Sequence, residues 1–348
     1  MMISNRESGC NCRYFWSLLP GIVTAASMYA GEWWVVSNVI LTLFILPVIE
    51  FFLPEDKSNS SNENSFIPDF ILVMHFLIQP VILLLLFWNI YSGSIHGIQL
   101  FFAGLSVGIH SGSSSIIVAH EMIHRKSSIW QTMGKILLFS AGNIYFFVDH
   151  LRVHHKWVGT DKDPATARKG ESVHSFFFRS AGGQIRSSWK LECERLRSLG
   201  KSPYGFGNYV LSSSVLLLLL MAVIYHYTGI AGLFVFAYQA LMANFLLEFV
   251  NYIEHYGLTR DENVRVDPTH SWQSDKVLSR FFLVELSRHS DHHYYSSKPY
   301  HVLKSYDESP VLPGGYAQIF FFALIPALWY RKVDPILEDY LKKVKKQV

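Results

Sequence analysis

The sequence predicts an all-α integral membrane protein with about six transmembrane helices and a cytoplasmic cap that carries a histidine-rich dinuclear metal site. Half of the 348 residues are hydrophobic and only 16% are charged, against about 25% in soluble proteins. The mean hydropathy is +0.20, and six apolar stretches approach the roughly 17–25 residues that a tilted span needs. These stretches cover residues 16–33, 34–53, 70–91, 97–119, 209–228 and 230–250. We interpret residues 1–348 as one membrane domain.

The distribution of basic residues predicts the orientation of these spans. Six spans leave three tight turns on one side of the membrane, near Gly31, at 91–94 and at 226–229, and none of them contains Lys or Arg. The positive-inside rule then places segments 120–208 and 252–348, with both termini, on the cytoplasmic side. We therefore expect a multi-pass protein of the cell inner membrane.

Three further segments are interpreted from composition. Loop 54–69 is rich in Ser and Asn, which is typical of a flexible connector without chemistry of its own. Residues 134–148 and 316–330 are apolar but too short to span, so we expect re-entrant or interfacial helices there.

The cysteine content limits the redox chemistry that the chain can perform alone. Cys10, Cys12 and Cys193 form no Cys-x-x-Cys pair, which suits a reducing compartment and excludes a four-cysteine iron or zinc site within this chain. The chain also has no dinucleotide-binding fingerprint. Any electrons that it needs must therefore come from a separate donor.

Nine of the sixteen histidines lie in four short clusters at the ends of apolar stretches, on the predicted cytoplasmic side. Neutral imidazole is the commonest protein ligand for transition metals, and it suits iron, copper, zinc or nickel. Nine imidazoles are too many for one ion and suit two ions with vacant positions. The predicted ligands are His120, His124, His150, His154, His155, His255, His289, His292 and His293.

The spacing within the clusters predicts how the ligands are shared. Residues four apart lie on one face of a helix, so a helix brings His150 and His154 together and turns His155 away by about 100°. We expect such a triplet to give two ligands to one ion and the third to another. The last cluster is a similar triplet, and we expect the same of it. Outside the clusters, His110 lies within a span, and we interpret it as a hydrogen-bonded interior histidine.

Two other classes of protein are alternative interpretations of these histidines. The sequence His120-Glu121-x-x-His124 matches a zinc-protease motif in which Glu121 would be the general base. That interpretation needs only one more ligand and leaves six histidines unexplained. A non-catalytic metal sensor or transporter would carry ionisable residues through its spans, and those are sparse here.

The octapeptide Asn-Tyr-Ile-Glu-His-Tyr-Gly-Leu at 251–258 resembles the signature of the integral-membrane alkane 1-monooxygenases, within the membrane fatty acid desaturase/hydroxylase histidine-box group. The other three clusters match the remaining boxes of that family in order and separation, and the stretch from Asp163 resembles the segment after its second box. The likeness extends over nearly the whole chain. This chain has Asp149 and Val153 where the family usually has Glu and Gly, which bears on the local backbone and on the substrate.

The resemblance implies a non-haem di-iron enzyme. It implies two iron ions as the metals, O2 as co-substrate, and terminal hydroxylation of medium-chain n-alkanes to 1-alkanols. It also implies rubredoxin, with rubredoxin reductase, as the electron donor. An aromatic-methyl monooxygenase or a fatty acyl desaturase/hydroxylase is the related alternative, although desaturases generally lack the octapeptide. Besides this donor, the partners we expect are the bilayer and the alkane, and no nucleic acid.

Carboxylates beside the boxes are candidates for orienting the ligands, because a metal-bound histidine usually donates its second N–H to a carboxylate or carbonyl. We expect this role for Glu254 and Asp291. We interpret each of the other nearby carboxylates as either a direct ligand or a solvated charge. They are Glu121, Asp149, Asp161, Asp163 and Glu248.

An apolar channel through the spans would position a substrate that has no polar group. Six aromatic residues are candidates for its lining, although aromatic residues at span ends usually belong to the interfacial belt. They are Trp33, Trp34, Phe51, Phe52, Phe101 and Phe102.

Overall fold

The computed structural model describes residues 11–60 and 64–345, and the predicted all-α fold is confirmed over these residues. They contain two isolated β-bridges but no strand. The helices are α1 (Leu19–Ala30), α2 (Glu32–Phe52), α3 (Phe66–Ser92), α4 (Ile98–His124), α5 (Ser128–Ser140), α6 (146–157), α7 (Val173–Ser198), α8 (Tyr209–His255), α9 (Val277–Phe282), α10 (His289–Tyr294), α11 (Tyr316–Leu324) and α12 (Pro326–Lys345). Short 3₁₀ segments cover Asn11–Leu18, Pro268–His270 and Tyr300–Val302.

Four of these helices, α2, α3, α4 and α8, are long and apolar enough to cross a membrane. Helix α8 has 47 residues, which makes it about 70 Å long, more than twice the roughly 30 Å hydrocarbon core. Gly229 leaves the helical conformation with φ +64° and divides α8 into two arms. The division lies at the turn that the sequence predicts between spans 209–228 and 230–250.

The first predicted span, 16–33, is less regular than expected. It is covered by the 3₁₀ segment Asn11–Leu18 and by the twelve-residue α1, which is about 18 Å long. Gly31, with φ +68°, separates α1 from α2. Because α1 alone is shorter than the membrane core, the total of six spans stays a prediction.

Helices α4 and α8 pack with their backbones unusually close. Gly104, Gly108 and Gly112 repeat every four residues on the face of α4 that meets α8. A Cβ on Gly108 would lie 2.7 Å from that of Met242, and one on Gly112 would lie 2.8 Å from that of Leu246. Small residues permit this close approach of membrane helices. Since residue numbers increase in the same direction along both helices, the packing is parallel, and their histidine-bearing C-terminal ends lie at the same level.

A ring of buried polar side chains joins α3, α4, α5 and α8 inside the bundle. The Nε2 of Gln79 donates to the hydroxyls of Ser111 (3.1 Å) and Ser140 (3.2 Å), and its Oε1 accepts from Ser115 (2.8 Å). The Ser111 hydroxyl in turn donates to Oε1 of Gln239 (3.0 Å). Helix α4 makes one π turn at this level. The ring therefore fixes α4 to its three neighbours just before the residues that carry the first histidine cluster.

The loop 54–69, which we expected to be a flexible connector, is in its described part bound to the cap, so that expectation is wrong there. The backbone N–H of Asp56 donates to the carbonyl of Asp275 (2.8 Å). The fully buried Arg288 donates to the carbonyl of Ser58 (2.7 Å). Because Arg288 precedes His289 directly, the loop helps to hold the last histidine cluster in place. Residues 61–63 of this loop lie outside the described residues.

Neither of the two short apolar segments is one continuous helix, because α5 ends within the first segment and α11 ends within the second. Segment 134–148 holds the second half of α5 and the start of α6, and segment 316–330 holds α11 and the start of α12. The interfacial placement of these helices remains a prediction.

Candidate metal centre

The nine clustered histidines come together in two groups. Within each group, one side-chain nitrogen of every histidine lies within 4.8 Å of the corresponding nitrogen of every other member. The five-histidine group consists of His120, His124, His150, His155 and His292. The four-histidine group consists of His154, His255, His289 and His293.

The nitrogens of the five-histidine group have the spacing of ligands around a single ion. The Nε2 atoms of His124, His150 and His155 form a triangle with sides of 3.0, 3.0 and 3.1 Å, and the Nε2 of His292 lies 3.1 Å from that of His155. Imidazole nitrogens bound to zinc at roughly 2.0–2.1 Å would be about 3 Å apart at right angles. The fifth member, His120, is buried, and its Nε2 has no hydrogen-bond partner within residues 11–60 and 64–345.

The four-histidine group is fully enclosed and similarly spaced. The Nε2 of His289 lies 2.9 Å from that of His293 and 3.2 Å from that of His255. The Nε2 of His154 lies 3.2 Å from that of His293. All four side chains are buried, whereas His124 and His155 of the other group are partly exposed. Both donor sets therefore fit a transition-metal ion, and only the five-histidine group borders the surface.

A π turn decides how the second cluster is shared. The chain from His150 to His154 is π-helical, so hydrogen bonds join residues five apart rather than four apart. His150 and His155 consequently meet in the five-histidine group, while His154 belongs to the other group. The expectation that His150 pairs with His154 was wrong because it assumed an ordinary α-helix. The last cluster, in α10, pairs His289 with His293 at the usual spacing of four.

Burial favours the neutral form of five clustered histidines outside the spans. It lowers the pKa of His150, His155, His289, His292 and His293 well below the usual 6.5, and the neighbouring histidines lower these pKa values further. A transition metal binds the neutral imidazole. These five rings therefore favour the form that a transition metal binds.

His154 is held by a carboxylate that sequence reasoning did not single out. Its Nδ1 lies 2.9 Å from Oδ2 of Asp163, and both side chains are buried. Burial alone lowers the pKa of His154, but Asp163, with Asp149 and Glu248 nearby, outweighs it and raises the pKa above its usual value. Asp163 follows His154 by nine residues through a turn, and no helical periodicity connects the two.

The carboxylate of Glu254 faces the four-histidine group. Its Oε2 lies 3.2 Å from the Nε2 of His289 and accepts no hydrogen bond from the part of the chain that the structure describes. Its Oε1 accepts one from the hydroxyl of Tyr316 (2.7 Å). Because this is the same ring nitrogen that faces the other histidines, Glu254 borders the interior of the group rather than the outer side of the ring.

Asp291 has a different environment from the one we expected. Its carboxylate accepts hydrogen bonds from the ammonium of Lys298 (2.7 and 2.9 Å), the backbone N–H of Lys304 (2.8 Å) and the hydroxyl of Tyr306 (3.0 Å). Within the described part of the chain it makes no hydrogen bond to a histidine ring. Asp291 therefore holds the segment after α10 in place and does not orient a histidine directly.

The zinc-protease interpretation disagrees with the surroundings of Glu121. The guanidinium of Arg125 donates to its Oε1 (2.7 Å) and also lies 3.3 Å from Asp69. A carboxylate paired in this way is not free to act as a general base. The flanking His120 and His124 moreover share their group with three further histidines.

His110, which we interpreted as an interior histidine, is buried and belongs to neither group. Neither of its ring nitrogens has a hydrogen-bond partner among the described residues, so the hydrogen bond that we expected is absent. Its neighbour His75 does follow the expected pattern, since its ring nitrogens lie 2.9 Å from the Ser17 hydroxyl and 2.8 Å from the Ser114 hydroxyl.

An apolar cavity lies between the spans and the metal-facing side chains. Its walls come from α1, α2, α4, α8, α9 and α11, and it adjoins a smaller chamber bordered by His120, His150, His289 and Glu254. None of the six aromatic candidates for a channel lines either space. Several of them are instead strongly exposed, as expected for an interfacial belt; Phe52, for example, is 78% exposed.

Comparisons with known proteins agree with this arrangement. A family model described as fatty acid desaturase matches residues 95–323. The chain is 35% identical to alkane 1-monooxygenase 2 of Pseudomonas aeruginosa, over 95% of this chain and 89% of that protein. It is 34% identical to alkane 1-monooxygenase 1 of Alcanivorax borkumensis, over 86% and 77%. It is 28% identical to the xylene/toluene monooxygenase hydroxylase component of Pseudomonas putida, over 94% and 89%.

Proposed function

Because this chain belongs to the alkane 1-monooxygenases of the fatty acid desaturase family, we propose that it hydroxylates the terminal carbon of medium-chain n-alkanes. One oxygen atom of O2 enters a C–H bond and gives the 1-alkanol. The other leaves as water, with two electrons from a donor protein and two protons. The observation that carries this proposal is the pair of histidine groups beside an apolar cavity.

The proposed metals are two iron ions, one in each histidine group. Bound iron supplies the activation of O2 that an unactivated C–H bond requires. The chain contributes nine imidazoles at ligand spacing, together with the Glu254 carboxylate beside the four-histidine group. Asp163 fixes the ring of His154 from its outer side, a role that usually affects metal affinity.

The proposed substrate follows from the cavity. Its lining is almost entirely apolar, with side chains such as Leu246, Phe249 and Phe320. A site of this kind offers a hydrocarbon chain shape complementarity and few polar groups. The walls of the cavity then align the hydrocarbon so that one of its ends approaches the histidines.

The proposed electron donor is rubredoxin, reduced by its reductase, docking on the cytoplasmic face of an inner-membrane protein. His124 and His155 are the ligands that border the surface. Directly beside them, the exposed Lys156 lies over the indole of Trp157 at 4.8 Å. We propose that the donor docks there, because the four-histidine group is enclosed on all sides.

Aromatic methyl groups are the second candidate substrate class, since one relative is named as a xylene/toluene monooxygenase component. The alkane monooxygenases named above are more similar to this chain, at 34–35% identity against 28%. This difference favours alkanes.

The test uses the purified full chain in detergent or lipid nanodiscs. Metal content is measured first, and then octane or p-xylene is supplied with rubredoxin, its reductase and NADH. We expect about two irons per chain and O2-dependent 1-octanol. One zinc without oxygen consumption would refute the proposal, and faster oxidation of p-xylene than of octane would assign the aromatic substrate instead.

A second experiment tests the docking surface. The variant Lys156→Glu should slow rubredoxin-driven turnover, because the repulsion between like charges weakens association, and leave turnover with a small chemical reductant unchanged. Lys201→Glu, far along the chain in the exposed loop before α8, is the matched charge control. Equal effects of both variants would place the donor elsewhere.

A further inference from the structure

The chamber beside the histidines is very small. It is bordered by His120, His150, His289 and Glu254, and it has a volume of about 20 Å³. A single water needs roughly 10–15 Å³ on such a scale. By this measure the chamber has room for about one group of the size of a methyl.

The larger apolar cavity, of about 100 Å³, adjoins this chamber at Gly112, Ile117 and Val250, which line both spaces. Gly112 has no side chain and lies against α8, where a Cβ would be only 2.8 Å from Leu246. Ile117 and Val250 are therefore the two residues with side chains that lie between the larger cavity and the chamber.

Both residues lie one helical turn before the groups that border the chamber. Ile117 precedes His120 by three residues on α4, and Val250 precedes Glu254 by four residues on α8. Residues three or four apart share a helix face, and their separation along the axis is about 4.5–6 Å. Both side chains are β-branched, which makes them stiff in a helix. About one helical turn therefore separates these two stiff side chains from His120 and Glu254.

We propose that Ile117 and Val250 form a neck that admits only the terminal methyl of a hydrocarbon to the histidines. This inference rests on the proposed function and adds the residues that determine which carbon reacts. For the second carbon to reach the same place, the terminal methyl has to pass deeper into a chamber that has room for one such group. The neck holds the rest of the chain back in the larger cavity.

The first test compares alcohols formed from octane by the wild type, Ile117→Ala and Val250→Ala. We expect the ratio of 2-octanol to 1-octanol to rise roughly tenfold or more in either variant, the effect typical of one missing carbon group in an apolar site. The matched control is Val223→Ala, the same substitution on the same helix, since Val223 is exposed and lines neither space. The control should leave the ratio unchanged. A ratio of products does not depend on how much protein is folded.

The second test needs no turnover. Crystals of the protein without metal are soaked with 1-bromooctane or 2-bromooctane, and anomalous scattering locates the bromine, which is about as large as a methyl group. In the wild type we expect the bromine of 1-bromooctane beside His120 and that of 2-bromooctane outside the neck. In Ile117→Ala and in the milder Ile117→Val, bromine from 2-bromooctane should enter the chamber.

The outcomes separate the two proposals. A wild type that forms 1-octanol, with unchanged product ratios and bromine positions in the variants, would refute the neck alone. A wild type that is loaded with iron and reduced but forms no alkanol would refute the proposed function, whatever the bromine positions are. Altered ratios in Val223→Ala equal to those in Val250→Ala would also contradict a neck at these two residues.

Discussion

The Nε2 atoms of His150 and His155 lie 3.0 Å apart although the two residues are five positions apart in the sequence. The π turn from His150 to His154 produces this contact, because it returns the fifth residue to the same face of the helix. The same turn directs His154 into the other group. One local change of helical geometry thus lets a single short motif serve both histidine groups.

Two single substitutions test the division of the ligands. His154→Ala removes a member of the four-histidine group and His155→Ala one of the five-histidine group, so each variant should weaken a different one of the two proposed iron sites. Mössbauer spectra of the iron-57 protein would show the loss of a different component in each case. His174→Ala is the control, since His174 is exposed and bonded to the carbonyl of Leu324. Identical spectra for the two test variants would contradict the division.

Asp163→Asn tests the orientation of His154. The amide retains the shape of the carboxylate but not its charge, so it holds the N–H of His154 less strongly. Changes of such outer partners lower metal affinity by roughly 10–100-fold, which a competition titration with a chelator would measure. Asp161→Asn is the matched control because Asp161 is almost fully exposed. The role would be disproved by equal affinities of the Asp163→Asn variant and the wild type.

Tyr316→Phe tests the hydrogen bond to Glu254. Burial, and then the Glu254 carboxylate, raise the pKa of Tyr316 well above its usual value, so its hydroxyl stays protonated and donates throughout the neutral range. Removing it leaves a buried carboxylate oxygen without a donor, at a cost of about 1–3 kcal/mol. We expect a lower melting temperature of the purified protein. Tyr330→Phe is the control, because its hydroxyl bonds the Gly170 carbonyl at the surface, and a smaller loss of stability for Tyr316→Phe than for this control would contradict the prediction.

Gln79→Leu tests the polar ring inside the bundle. The substitution leaves the hydroxyls of Ser115 and Ser140 without their partner on α3, and interhelical hydrogen bonds in membranes contribute roughly 0.6–2 kcal/mol each. Since the ring precedes the first histidine cluster on α4, we expect reduced thermal stability together with reduced iron content. Gln318→Leu is the control, because its amide oxygen accepts no hydrogen bond. Full iron content in Gln79→Leu would limit the ring to a structural role.

Much of the site could be predicted because the residues that identify it lie close together in the sequence. Ligand type is a property of the side chain, and the four clusters lie in runs short enough to recognise, so all nine histidines that the structure brings together were named in advance. The octapeptide around His255 indicated the family for the same reason. Asp163 was different, since its contact with His154 depends on a turn, and nothing in the spacing of nine residues predicts that turn.

The sequence by itself determined the class of this protein: apolar stretches of membrane length require helices, because every backbone polar group must be bonded within the bilayer, and clustered imidazoles predict transition metals. The tertiary structure decided which histidines share a group, because the choice depends on one π turn and on the close parallel packing of α4 on α8. It also decided that Ile117 and Val250 adjoin the chamber and that loop residues such as Ser58 bind Arg288. Such contacts join residues far apart in the chain, and only packing brings them together.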